Sequence, residues 1–148
     1  MNLKIVPVDD TNRKQVENLT VLVEQKHFIE TVKECMMEAD EISDWEPVCI
    51  YDGDILIGFA MYGYMRHETL KRVWFDRLLI DYHYQKRGYG RKSVELIISR
   101  IKEEYPNKEI YISAYEDNKI AISLYKSFGF VENGELDING EKIMVLTC

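Results

Sequence analysis

Four cations and two glycines crowd into one short run of the chain, Gln85-Lys86-Arg87-Gly88-Tyr89-Gly90-Arg91-Lys92-Ser93. An apolar strand pattern precedes the run, and helical periodicity follows it at Val94, Ile97, Ile98, Ile101 and Tyr105. Glycines at such a junction let backbone N–H groups approach an anion, and the helix N-terminus adds the positive end of its dipole. The chemistry this implies is phosphate binding. A P-loop is excluded, because Tyr84 stands where its first glycine belongs and Arg91 separates Gly90 from Lys92. A dinucleotide fingerprint is excluded too. Its third glycine is replaced by Ser93, and seven residues separate Ile80 from Gly88 where that motif makes a tight turn.

A second chemical feature is Asp76, an isolated acid inside the apolar run Val-Trp-Phe-Asp-Arg-Leu-Leu-Ile at residues 73–80. Strict strand alternation puts Trp74, Asp76, Leu78 and Ile80 on one face and Val73, Phe75, Arg77 and Leu79 on the other. The acid serves either as a proton acceptor or as a structural partner of Arg72 or Arg77. His27, His67 and His83 share no metal-ligand spacing, and Cys35, Cys49 and Cys148 form neither a C-x-x-C pair nor a zinc pattern, so no metal is expected.

The elements that must position these groups follow in order. Residues 3–8 alternate like a strand, and Asp9, Asp10 and Thr11 offer caps for a helix carrying Val16, Leu19 and Val23. A second helix over about 27–41 carries Val32, Cys35, Met36 and Ala39 on one stripe. Strands at 47–51 and 55–64 flank Asp52-Gly53, a two-residue hairpin turn, and the strand at 73–80 follows. After the long helix and Pro106 come a strand at 109–115 and a helix at 118–128. Asn118 caps that helix, Ile120, Leu124 and Phe128 form its stripe, and Ala121 and Tyr125 lie beside it. Strands at 131–138 and 142–147 flank Asn139-Gly140. The order is β-α-α-β-β-β-α-β-α-β-β in one domain over 1–148, an α+β chain.

Composition narrows the partners. The 148 residues carry 19 basic and 26 acidic side chains, a net charge of −7, which argues against nucleic acid or anionic lipid as a general partner. No apolar run approaches the ~20 residues that span a bilayer. An odd, dispersed cysteine set and the lack of a secretory leader point to a cytoplasmic protein.

Two motifs together resemble a known family. The loop, written Q-x-x-G-x-G after Leu78-Leu79-Ile80-Asp81, resembles the acyl-CoA pyrophosphate loop of the GNAT N-acetyltransferases. The run Asn118-x-x-Ala121-x-x-Leu124-Tyr125-x-x-Phe128-Gly129-Phe130 is similar to that family's second motif. The resemblance covers the whole chain and implies three layers, with a mixed, mostly antiparallel sheet flanked by helices. It implies acetyl-CoA as co-substrate, paired with the backbone of Leu78, Leu79 and Ile80. The diphosphate would sit on Gln85, Lys86, Arg87, Gly88, Tyr89, Gly90 and Arg91, with Lys92 adding charge. Asn118 would reach the cofactor arm, and Tyr125 would protonate or hydrogen-bond the departing thiolate, its other reading being helix packing.

Asp76 matches the position where several members carry a catalytic glutamate. An alkylammonium with a pKa near 10.4 must lose its proton before it can attack, which gives Asp76 a task as base. For the acceptor, segments such as Trp45-Glu46-Pro47-Val48 and Gly134-Glu135-Leu136-Asp137-Ile138-Asn139-Gly140-Glu141 resemble bacterial spermine/spermidine acetyltransferases within the family. Asp76, Glu116, Asp117, Glu135, Asp137 and Glu141 would make an acidic cleft for a polycation. Tyr62, Tyr64 and Trp74 are read either as an aromatic acceptor groove or as core. The remaining readings are an acetyltransferase of protein N-termini, lysines or another small amine, and a non-catalytic acyl-CoA-binding module. A homodimer is left open.

Overall fold

A computed structural model describes residues 1–26, 28 and 30–147 of the chain. His27 and Cys148, singled out above, lie outside the described residues. The elements are β1 (Leu3–Pro7), α1 (Arg13–Val16), α2 (Val32–Glu41), β2 (Trp45–Asp52), β3 (Ile55–Tyr64), β4 (Val73–Ile80), α3 (Tyr89–Glu104), β5 (Ile110–Ala114), α4 (Lys119–Ser127), β6 (Val131–Leu136) and β7 (Lys142–Leu146). They build one seven-stranded sheet in the order β1-β2-β3-β4-β5-β7-β6, antiparallel throughout except between β4 and β5. The predicted order and the mixed, mostly antiparallel sheet are those observed.

Apolar periodicity places the layers. On one face α3 buries Val94, Ile97, Ile98 and Ile101, and α4 buries Ile122, against Ile50, Tyr62 and Phe75 of the sheet. Each such aliphatic side chain contributes about 1.5–3 kcal/mol. On the other face Val16 of α1 and Val32, Cys35 and Met36 of α2 pack on Phe59, Met61 and Leu79. The start of α2 is fixed by a capping box. Thr31 Oγ1 accepts from Glu34 N at 3.1 Å, and Glu34 Oε1 accepts from Thr31 N at 3.0 Å.

Three expectations are corrected. The first helix does not reach Val23, which is 79% exposed in a short 3₁₀ turn. Helix α1 stops at Val16 because the chain beyond it is held elsewhere: Thr20 N donates to Asp81 Oδ2 at 3.1 Å, and Tyr82 N donates to the Thr20 carbonyl at 2.9 Å. The last strands are not joined by a two-residue Asn139-Gly140 turn. Strand β6 ends at Leu136, and a wider turn follows, closed by Gly140 N on the Asp137 carbonyl at 3.0 Å.

The third correction is the most consequential. Ala60, Met61 and Tyr62 of β3 face Leu78, Arg77 and Phe75 of β4, so Asp76 is an extra residue in the ladder, a β-bulge. The bulge reverses the alternation. Val73 and Phe75 face the α3 side, and Leu78 and Ile80 pack there too, whereas Leu79 packs on the α2 side and Arg77 is paired with Met61 of that side. Arg77 and Leu79 therefore leave the face predicted to hold Val73 and Phe75.

Among the described residues no helix is long and apolar enough to cross a membrane.

Candidate active site

Strands β4 and β5 pair only at Val73 with Ile110 and Trp74 with Tyr111. Beyond Trp74 they part, and a cleft of about 880 Å³ opens between Leu78, Leu79 and Ile80 on β4 and Ser113, Ala114 and Tyr115 at the end of β5. The edge of β4 toward β5 keeps no ladder partner there, so its backbone N–H and C=O groups are available to an extended ligand.

One end of the cleft is the glycine loop. The chain leaves β4 through Asp81, whose Oδ1 accepts from His83 N at 3.1 Å, and then makes a turn at Tyr82–Tyr84. Gln85 ties this turn down by donating from Nε2 to the Ile80 carbonyl at 2.9 Å and exchanging amide hydrogen bonds with Gln25 at 3.0 Å. Its side chain therefore builds the loop. Lys86 lies at φ 63° and Gly88, the N-cap of α3, at φ 84°. A lysine in the left-handed region is held at a cost of order 1–3 kcal/mol, a sign that the loop's path is imposed.

Lys86, Tyr89 and Gly90 line the cleft beside Gln85. The other loop residues named above stand back from it: Arg87 lies over Tyr84 and Arg91 over Phe128, at 5.8 and 5.3 Å from the ring centroids. Lys92 lies 3.8 Å from Glu95. The loop fits an anionic ligand on one further observation. A Cβ built on Gly90 would meet nothing within 4 Å, so neither packing nor a positive φ accounts for this glycine. What its bareness leaves open is the mouth of the cleft at the first turn of α3.

The wall opposite β4 is α4. Asn118 caps it as predicted, Oδ1 accepting from Ala121 N at 3.3 Å. The predicted stripe holds at Leu124 and Phe128, which pack against the core, and fails at Ile120. Ile122 is the residue buried in the core, while Ile120 is 82% exposed and lines the cleft with Ala121, Leu124 and Tyr125. Leu124 and Tyr125 pack against the core and also line the cleft, whereas Ile120 faces the cleft alone. Tyr125 is half-buried with its ring edge on Phe130, the centroids 6.1 Å apart. Burial pushes its phenol up to about 12, and the charge of Glu141 adds to the shift.

Asp76 stands in the same cleft. Its Oδ2 is buried and accepts no well-aligned hydrogen bond, but is ion-paired with Arg77 Nη1 at 2.8 Å, which also donates to the Asp76 backbone carbonyl. Burial pushes the carboxyl up to about 7, Arg77 opposing the shift and Glu38, Glu30 and Asp137 reinforcing it. Of the two structural partners open from the sequence, Arg77 is the one present. Arg72 instead forms a two-pronged pair with Glu135 at 3.0 and 3.1 Å.

Of the acids expected around the cleft, Asp76 and Glu141 line it. Glu135 is taken by Arg72, and Glu116 faces Lys142 at 3.6 Å. The aromatic groove is not observed. Tyr62 is buried with its hydroxyl donating to Glu104 at 2.6 Å, Tyr64 lies under Arg66, and Trp74 packs on Tyr111, none of them in the cleft. Sequence reasoning did not single out Leu22, Phe28 or Glu30, which close the cleft from the segment before α2. No local pattern marks them. His67 and His83 bond Asp44 and Asp81, and among the described residues no group of three or more His, Cys, Asp or Glu is placed to hold a metal.

Comparison with known proteins agrees with this geometry. The family model of the GNAT acetyltransferases matches residues 16–130. A spermine/spermidine N(1)-acetyltransferase of Bacillus subtilis and a probable spermine N(1)-acetyltransferase of Bacillus subtilis subsp. natto are each 44% identical over 149 aligned positions, covering 98% of both chains. A spermidine N-acetyltransferase of Vibrio cholerae, solved with CoA and spermine, shares the fold at a TM-score of 0.72 and 19% identity, over 97% of this chain and 93% of that one. A ribosomal-protein-S18-alanine N-acetyltransferase of Escherichia coli does so at 0.68 and 19%, over 98% and 93%. The chain belongs to the GNAT family of acetyl-CoA-dependent N-acetyltransferases.

Proposed function

We propose that this single domain acetylates a primary amine of a polyamine such as spermidine, with Asp76 as proton acceptor and Tyr125 as hydrogen-bond donor to the departing sulfur. The observation that carries the reading is the buried Asp76 Oδ2, bare of hydrogen bonds, in a cleft that Tyr125 also lines. Acetyl-CoA supplies a thioester, whose acyl carbon is open to attack by a neutral amine. Leu78, Leu79 and Ile80 offer backbone groups to its extended arm. Gln85, Lys86, Arg87, Gly88, Tyr89, Gly90 and Arg91 form the anion-binding loop, and Asn118 lies on the opposite wall.

The acceptor arrives as an ammonium. A carboxylate near 4 would be a poor match for that proton; one near 7 is a better one and is ionised in half its copies at neutral pH. As the C–N bond forms and the C–S bond breaks, the nitrogen gives up its second proton to the departing sulfur, which leaves as the CoA thiol, and Tyr125 donates a hydrogen bond to that sulfur while its negative charge lasts. A phenol near 12 holds its proton more firmly than a thiol near 8.5, so Tyr125 stabilises the leaving group and remains protonated.

A polycation suits the carboxylates of Glu30, Glu34, Asp76 and Glu141, all in the cleft wall, and the two Bacillus relatives are named for spermine. Buried free Cys35 and Cys49 favour a reducing, cytoplasmic setting. The edge strand β6, exposed along its whole length with Val131 and Leu136 outward, is the surface that suits a homodimer.

Purified protein with acetyl-CoA and spermidine should release free CoA thiol. No release across a panel of amines, despite acetyl-CoA binding, would leave only a binding module. Faster turnover on an N-terminal peptide would transfer the acceptor assignment to proteins.

A further inference from the structure

Arg77 stands at a junction of three acceptors. Its Nη2 donates to Glu30 Oε1 at 2.8 Å and its Nη1 to the Asp76 backbone carbonyl at 2.9 Å, both well aligned. Asp76 Oδ2 receives the ion pair at 2.8 Å without that alignment. A guanidinium that faces one carboxylate squarely gives it two parallel N–H bonds, which favour the ionised form most strongly. Here one nitrogen is committed to Glu30, so Asp76 keeps an oblique share of the charge.

The chain holds Glu30 in that place from both sides. After it, Thr31 caps α2 through its capping box with Glu34, which fixes the entry to the helix. Before it, Thr20 N is bonded to Asp81 and Gln25 to Gln85, so the segment is fastened to the loop that follows β4. The Glu30 side chain is 41% exposed and that of Arg77 16%, a bridge from the rim of the cleft to its buried acid. Other groups act on Asp76 from the elements around it. Glu38 of α2 and Asp137 and Glu141 of the turn between β6 and β7 add negative charge, while Cys35 of α2 stays neutral because burial pushes its thiol up to about 12. Tyr115 after β5 feels both Arg77 and Glu30. Arg77 is the cation that opposes these acids, so the way it is shared decides how readily Asp76 takes a proton.

We propose that Glu30 is a positioning residue for the reaction: by holding Nη2 of Arg77 it stops the guanidinium from closing squarely on Asp76, and so leaves that carboxylate free to accept the amine's proton. This rests on the reading of Asp76 as the base. Glu30 acts here through Arg77, so its effect appears in kcat at saturating amine; any attraction it exerts on a polycation appears in KM.

The test follows kcat against pH in wild type, Glu30→Gln and Glu30→Ala, at saturating acetyl-CoA and spermidine, or whichever amine of a panel wild type acetylates fastest. Thermal melts of all three check folding, which an exposed side chain should not disturb. Glutamine removes the charge but can still accept from Nη2; alanine releases the guanidinium altogether. We expect the midpoint of the acid limb to fall by about half a pH unit in Glu30→Gln and about one unit in Glu30→Ala, as Arg77 turns onto Asp76. Above the limb the weaker base should lower kcat about threefold in Glu30→Ala. A midpoint that stays put or rises overturns the assignment, even if KM changes. Equal shifts in the two variants overturn it as well, since Glu30 would then act by its field alone. Asp76→Asn keeps this result apart from the base reading. An acid limb that survives in Asp76→Asn, or a wild type inactive on every amine, removes both; a limb lost there but unmoved in the Glu30 variants removes only this inference.

Discussion

Arg77 Nη1 lies 2.8 Å from Asp76 Oδ2 and donates to the Asp76 backbone carbonyl at 2.9 Å. The guanidinium forms an ion pair with that oxygen and favours its charged form. Burial outweighs that attraction, which is why the carboxyl rises to about 7.

The pH dependence follows from that value. A base must be unprotonated, so kcat at saturating amine rises with pH up to about 7 and then levels off. Tyr125, near 12, produces no alkaline fall below about pH 11. Asp76→Asn should lower kcat by about 10²–10⁴-fold and flatten the acid limb. An acid limb unchanged in Asp76→Asn would assign the proton to another group.

Tyr125→Phe separates chemistry from binding. The ring keeps its edge contact with Phe130, so folding and acetyl-CoA affinity should hold while kcat falls by about tenfold or more. Titration of acetyl-CoA binding beside the rate assay checks both halves, and equal loss in both would make the residue structural.

Two glycines of one loop should respond in opposite ways. Gly88→Ala forces a side chain onto φ 84° and should destabilise the fold by about 1–2 kcal/mol in a denaturant melt. Gly90→Ala adds a methyl group where nothing lies within 4 Å and should leave the melt unchanged. Because that methyl group enters the anion site, acetyl-CoA binding should weaken by about tenfold. Unimpaired binding would take the diphosphate away from this turn.

Cys35 and Cys49 should resist modification. Burial pushes their thiols up to about 12 and about 11, so at pH 8 essentially no thiolate is present and neither is accessible. Mass mapping after alkylation of native protein should find both unlabelled, and both labelled after denaturation.

Much of this arrangement was legible in the residues, because it rests on local signals. Strand β4 has its predicted bounds, the Asn118 cap is in place, and the glycine loop joins β4 to α3 as its spacing required. What escaped depends on distant partners. Helix α1 ends early because Thr20 is claimed by Asp81, 61 residues away. Ile120 has the periodicity of a core residue but faces the cleft, since helical spacing cannot tell a ligand's apolar surface from the protein's own. Asp76 was singled out by its charge in an apolar run; the bulge it forms was not, because no glycine or proline marks it.

That bulge lets one short strand obey two phases. Upstream of Asp76 the odd-numbered side chains face the α3 layer; downstream the even-numbered ones do. Removing a single residue at this point would leave the ladder perfectly regular, the fold's ordinary ideal, and would erase the acid that disturbs it. The irregularity that a designer would iron out is the residue we propose as the proton's acceptor.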